Sequence, residues 1–313
     1  AAGLVTSVHA EQYLRAAQEV AAAAVAEPAG WRPCAPEADA AACAEQVARE
    51  VGRRVWRRPL TNDEVAKVAG MITGEATFDE GLHVALQAML ASPWFLYKFE
   101  IGEPDGDRFR LSGYEVATAL SYGLWGTTPD DTLLDAAEAG ELDTTEGVEA
   151  QVQRLLADPR ARAQVSTFAV QWLGVEKIAT IDKNDTLFPG FDTNLRASIL
   201  EETRRLAAHV VFDGTGRFPE LLTADYTFVD AALAGLYGVE APAAAWSQVP
   251  APAGRMGLLG HASVLASNAY PNQTSPVRRG LFVRRALLCQ ELPPPPPEAG
   301  AVPEVDPGAS TRE

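Results

Sequence analysis

Helix-start signals recur along this chain, each followed by roughly one helix length of apolar spacing, and that recurrence restricts its fold more than anything else in it. Thr61-Asn62-Asp63-Glu64 reads as a capping box, in which the threonine and the glutamate each satisfy a free amide of the first turn. Ser112 with Glu115 repeats the pattern. Thr128-Pro129-Asp130-Asp131 offers a cap, a proline at the first position and acids in the first turn, and Gly140 stops that helix. Ser275-Pro276 opens a further one. Over residues 78–91, Phe78, Leu82, Ala85, Leu86 and Met89 fall at helical spacing. Alanine and leucine are abundant and runs of Val, Ile and Thr are few, which favours helix over sheet. The fold class expected is all-α: two to three packed helical subdomains with short loops and little or no sheet.

Further helices are expected over residues 8–26, with Tyr13, Leu14, Ala17 and Val20 on one face, and over 40–56, 145–157, 159–174 and 193–212. Residues 221–237 read as helical at least in part. Glu103 to Asp107 forms a turn and a boundary, and Ala241 to Pro252 reads as a proline- and alanine-rich linker. These signals divide the chain into an N-terminal helical domain (1–100), a central helical domain (101–240), and a linker, C-terminal helical segment and proline-rich tail (241–313). A chain of 313 residues with 47% hydrophobic content can bury ample core.

Acidic residues outnumber basic ones 42 to 26, for a net charge of −16, so the surface as a whole repels nucleic acid and anionic membranes. No stretch reaches the roughly 18–20 apolar residues that a membrane span needs. Arginine carries nearly all the positive charge, as suits planar, bidentate contacts; a high-GC codon bias gives the same result. Cys34 and Cys43 flank a short loop between two helices. A disulfide there would contribute about 2.5–3 kcal/mol and would place the chain outside the cytoplasm. Two reduced, buried cysteines are the alternative. Neither cysteine has a second ligand at metal-binding spacing.

Asp182-Lys183-Asn184-Asp185 resembles the opening of a calcium loop, but the sixth place lacks glycine and Thr193 stands where a bidentate glutamate is needed. Gly214-Thr215-Gly216 has no strand before it, and Pro219 replaces the third glycine of a dinucleotide loop. The four histidines are scattered singly. His261 stands out because it lies near Met256 and an arginine-rich helix, and either residue could serve as axial ligand to a haem on a neighbouring module. Two arginine groups are the strongest chemical signal: Arg53, Arg54, Arg57 and Arg58, and Arg278, Arg279, Arg284 and Arg285. Arg278 and Arg285 share a helix face. Such a group can hold carboxylates, phosphates or haem propionates, or can pair with the chain's own acids. The residues expected to meet a cofactor are His261, Met256, Arg278, Arg279 and Arg285; no catalytic residue is singled out.

Several segments together resemble the planctomycete secreted domains and their cytochrome-associated companions, also common in myxobacteria. Arg53 to Glu64 with Gly81 to Phe95 looks like one domain. Leu120 to Trp125, Pro129 to Asp131, Leu156 to Arg160, Gln171 to Leu173 and Ala224 to Phe228 look like the next. Gly257 to Leu265, Thr274 to Gly280 and Cys289 to Pro297 look like a third. One departure is Trp94, where relatives often carry histidine after Ser-Pro. The resemblance implies an exported protein, periplasmic, cell-surface or secreted, with no established catalytic residues. It also implies a C-terminal module with haem c attached through C-x-x-C-H, absent from this chain. The expected role is the helical scaffold of a c-type cytochrome-like redox protein. A non-catalytic binding or assembly module is the alternative, and a hydrolase of extracellular polymer using Asp182 and Asp185 is a third reading.

Overall fold

Fifteen α-helices form among residues 5–291, the part of the chain that the computed structural model describes. The run Pro293 to Pro297 and the opening Ala1-Ala2-Gly3 lie outside the described residues. The fold is mostly all-α, with two small antiparallel ribbons. No described helix is long and apolar enough to cross a membrane. Two compact units form, Ala1–Asp158 and Pro159–Glu313.

The first unit runs through α1 (Ser7–Ala26), α2 (Ala40–Trp56), α3 (Asn62–Thr73), α4 (Phe78–Leu90) and the single turn α5 (Pro93–Leu96). It continues through a ribbon of β1 (Glu103–Asp105) and β2 (Arg108–Arg110), then α6 (Gly113–Trp125), α7 (Asp131–Glu138) and α8 (Thr145–Ala157). The capping boxes form as the sequence predicts. Thr61 Oγ1 accepts from the Glu64 amide at 3.3 Å, and Glu64 Oε2 accepts from the Thr61 amide at 2.8 Å. Ser112 and Glu115 do the same, and Thr77 with Glu80 makes a third box. The start of α7 is a correction: Asp130, not Thr128, is the cap. Its carboxylate accepts from the Leu133 amide at 3.0 Å and also pairs with Arg154 at 2.8 Å, two roles that a threonine hydroxyl could not combine.

The face of α1 is also corrected. Ala17, Ala21 and Ala24 are buried, whereas Tyr13, Leu14 and Val20 are exposed. Small side chains let this helix approach α4 closely, and Val47, Val51, Ile72, Leu82, Leu86 and Met89 fill the core beneath it. Gly81 is required for the neighbouring contact: a Cβ there would lie 1.9 Å from the carbonyl oxygen of Ile72. Cys34 and Cys43 are joined by a disulfide, with Cα atoms 5.5 Å apart, tying the loop to the start of α2. Its removal by Cys34→Ala with Cys43→Ala is expected to lower unfolding free energy by about 2.5–3 kcal/mol. Urea denaturation of oxidised and reduced protein measures this; equal midpoints would contradict it.

The second unit comprises α9 (Pro159–Trp172), α10 (Thr193–Phe212), α11 (Phe218–Thr223), β3 (Tyr226–Val229), α12 (Ala231–Tyr237) and β4 (Ser247–Pro250). It ends with α13 (Gly257–Gly260), α14 (Ala262–Ser267) and α15 (Pro276–Phe282), the last followed by a π-helical turn, Val283–Leu287. The expectation of partial helix over 221–237 holds, through the end of α11 and all of α12, and the expectation of a linker fails. Residues 221–237 are interrupted by a strand, and the segment read as a linker supplies its antiparallel partner, with Tyr226 opposite Pro250 and Val229 opposite Ser247. The alternation explains it: Thr227 and Val229 point inward to the core while Tyr226 and Phe228 are only half-buried. Helix α10 is central to this unit. Ile199, Leu206 and Val210 pack with Ile178, Leu233, Leu258 and Val264, and the same buried stripe includes Glu202 and Thr203.

Candidate functional site

A carboxylate on the buried face of a helix must be neutralised or well bonded, and Glu202 is both fully buried and enclosed by hydroxyls. Thr227 Oγ1 donates to its Oε1 at 2.6 Å. The Tyr237 hydroxyl lies 2.8 and 3.0 Å from its two oxygens and accepts from the Ala262 amide at 3.0 Å. His261 closes the cluster. Its Nδ1 is 3.3 Å from Thr203 Oγ1 and its Nε2 is 3.4 Å from Thr227 Oγ1, while Thr203 and Ser263 share a 2.6 Å hydrogen bond. Strand β3, helices α10 and α12 and the junction of α13 with α14 each contribute a member.

Burial raises the Glu202 carboxyl to about 7, against the opposing pull of its two hydroxyl donors and the Arg255 charge. Burial also pushes His261 down to about 3, and Arg255 pushes it further in the same direction. The two side chains stand 3.8 Å apart, beyond hydrogen-bond range. Below about pH 7 and above about pH 3 they therefore form a neutral pair, a protonated carboxyl beside a neutral imidazole, and not an ion pair. Arg255 lies over the Tyr237 ring at 4.6 Å and donates to the Gly260 carbonyl at 2.8 Å. The space beside the cluster is about 10 Å³, at the lower limit for one water. This is a closed polar network.

That closure corrects the expectation for His261. The ring is buried and engaged at both nitrogens, so it does not face an external module. Its backbone is extended at the junction of α13 and α14, and that turn directs the ring inward to α10. Met256, by contrast, is 53% exposed at the start of α13.

The arginine-rich helix presents an open site. Ser275 caps α15 by accepting from the Arg278 amide at 3.3 Å. The Arg278 guanidinium lies 4.0 Å over the Tyr270 ring and donates to the Ala269 carbonyl at 3.3 Å. Arg284 donates to Gln290 at 3.0 Å. Among the described residues, none of Arg278, Arg279, Arg284 and Arg285 makes an ion pair with an acid. Lys177, Arg278 and Arg285 line a cleft of about 430 Å³ beside Trp172 and Phe282, and among the described residues no carboxylate lines it. Ser267, also on its wall, has a buried hydroxyl with no hydrogen-bond partner among the described residues.

Three members of the other arginine group have their charges matched by acids within the first unit, and the fourth, Arg57, bonds backbone carbonyls. Arg53 pairs with Asp135 and Glu138 at 2.7 and 3.1 Å, and Arg54 grips Asp131 with two bonds. Arg58 grips Glu64 in the same way and lies over Trp94 at 4.5 Å. Arg57 is buried in the left-handed region, φ 59°, and donates to the carbonyls of Trp94, Phe95 and Tyr97 at 2.6–3.2 Å. Asp182 and Asp185 are exposed in the loop before α10. Cys289 is an exposed free thiol.

Three family models match the chain in order: PSD5, a protein of unknown function (DUF1595), over residues 43–100; PSD4, a protein of unknown function (DUF1592), over 111–239; and PSCyt3, a protein of unknown function (DUF1588), over 255–313. Together they support a multi-domain family of unknown function. No curated protein and no solved structure matches. Glu202, Thr203, Thr227 and Tyr237 fall in the second match, and Arg255, His261 and Ser263 in the third. The buried network thus joins two matched segments inside one compact unit.

Proposed function

We propose that this chain is the extracytoplasmic helical body of a c-type cytochrome-like redox assembly, and that the face of α15 bearing Arg278 and Arg285 docks an acidic, haem-bearing module. One observation carries the reading. In a protein of net charge −16, three cations converge on one cleft that no carboxylate among the described residues lines. Two guanidinium groups and an ammonium there suit carboxylates, whether haem propionates or acidic side chains. The disulfide supports an oxidising compartment, and the name of the third matching model points to cytochrome association.

The fit is partial, which divides the roles. Arg278, Arg285 and Lys177 suit the anionic edge of a haem, whereas His261 is closed off and cannot serve as its axial ligand. A haem would supply one-electron transfer. This chain's part would be to hold positive charge beside it, which favours the reduced state. The native gene product, purified from the cell envelope, should then show c-type haem absorption. Arg278→Gln and Arg285→Gln should each lower its reduction potential, because losing a nearby cation stabilises the more positive oxidised form. Absence of haem absorption, or unchanged potentials in both variants, would contradict the redox reading. The enclosure of His261 favours a second reading, a non-redox module docking an acidic partner through the same cleft; it predicts charge-dependent partner binding with no haem band.

A further inference from the structure

We infer that a second groove, on the face of α15 carrying Ser275 and Arg279, binds a small amphipathic carboxylate, with its hydrocarbon body on an apolar floor and its acid group on a cationic rim. This inference uses different residues from the docking cleft and does not depend on it. The groove encloses about 300 Å³, the lower end of the range for small-molecule sites. Phe191, Ile199, Leu265 and Ala266 form its floor. Phe188, Leu236 and Tyr270 line it as well, and all three are exposed large apolar side chains. Its cations are Lys183, Arg255 and Arg279, and among the described residues no Asp or Glu lines it.

The polar groups have capacity to spare. The half-buried Arg279 side chain makes no hydrogen bond or ion pair with another described residue, so its fork of donors is uncommitted. Lys183 Nζ donates to the carbonyls of Ala266 and Tyr270, each at 3.0 Å, which leaves one of its three donors. Burial depresses the Lys183 ammonium, and the like charges of Arg278 and Arg196 depress it further. Positive charge is therefore crowded beside an apolar surface without a local counter-charge among the described residues. A small inorganic anion would leave the apolar floor uncovered, and a neutral lipid would leave Arg279 unpaired. An acid with a hydrocarbon tail satisfies both.

Calorimetric titration of the whole protein with sodium octanoate tests this, with octan-1-ol and acetate as the uncharged and tail-less comparisons. Saturable one-to-one binding of octanoate is expected, with octanol and acetate each weaker by about tenfold or more, the scale of one charge-assisted hydrogen bond or of a buried alkyl segment. Arg279→Gln should weaken octanoate about tenfold. Leu236→Glu, at an exposed position, should weaken it through repulsion without disturbing the core, and thermal melts would verify that both variants fold. Arg108→Gln, the same charge change on the β2 strand of the first unit, should leave binding unaltered. Octanol binding as tightly as octanoate would reveal a plain apolar patch, and acetate doing so would reveal a plain anion site. Either result, absent saturation, or octanoate affinity unchanged in both groove variants would overturn the inference.

Discussion

Replacing Glu202 by glutamine is expected to make the protein progressively more stable relative to wild type as pH rises from 4.5 to 7. Replacing His261 by glutamine is expected to do the opposite up to pH 6.5. Glu202 titrates at about 7 in the folded state against an ordinary value of 4.5, so its contribution is fully present below 4.5 and is lost as pH rises through 7. His261 titrates at about 3 against an ordinary 6.5, so its contribution is present above 6.5 and is lost as pH falls through 3. Between 4.5 and 6.5 the unfolded chain holds the proton on the imidazole and the folded chain holds it on the carboxyl. The count is equal, and the pair contributes no slope. Either single variant exposes a slope of about 1.4 kcal/mol per pH unit relative to wild type. Urea unfolding at several pH values from 4 to 7.5 measures it, and the double variant should run parallel to wild type. An ion pair between these side chains would instead leave both variants parallel to wild type between pH 4.5 and 6.5, with slopes only below and above that window.

Arg57→Ala is expected to cost about 3 kcal/mol or more, the largest loss from any single arginine of the first unit. Its guanidinium is buried and bonds three carbonyls from the segment Trp94–Tyr97, which would lose their donors together. Arg53, Arg54 and Arg58 pair with acids at least partly open to water, where each loss is cushioned by solvent. Arg57→Gly should be milder than Arg57→Ala by about 1 kcal/mol, because glycine adopts the left-handed backbone without penalty. Chemical denaturation of both variants gives the comparison. Equal losses would mean that backbone strain plays no part, and a loss below 1 kcal/mol would mean that the carbonyls find other donors.

The helical class was legible because caps act locally: Thr61, Ser112 and Ser275 each bond an amide three residues away, a distance that sequence displays directly. The α1 face was misread because the interior selects for close approach, and there alanine outranks tyrosine and leucine. The β3–β4 ribbon was hidden by brevity, since four residues between two helices carry too little alternation to stand out, and its partner lies across a proline-rich stretch. The network was hidden by distance. Glu202, Tyr237 and His261 meet only once α10, α12 and the α13–α14 junction have packed. One signal was available: Glu202 and Thr203 sit among Ile199, Leu206 and Val210 on a stripe that is otherwise apolar, where a charge needs an explanation. The arginine groups looked alike in sequence, and only partners across the fold separate the one matched by acids from the one left open.

The most direct test of the docking reading is arginine-selective modification of the native protein with phenylglyoxal, read by mass spectrometry at low salt and at about 0.5 M salt, where charge–charge contacts are strongly screened. Arg278 and Arg285 are predicted to resist modification at low salt and to react once salt loosens the docked module, while exposed Arg108 reacts equally in both. Equal reactivity of Arg278 and Arg285 at the two salt concentrations, matching that of Arg108, would contradict the docking of anything anionic on that face.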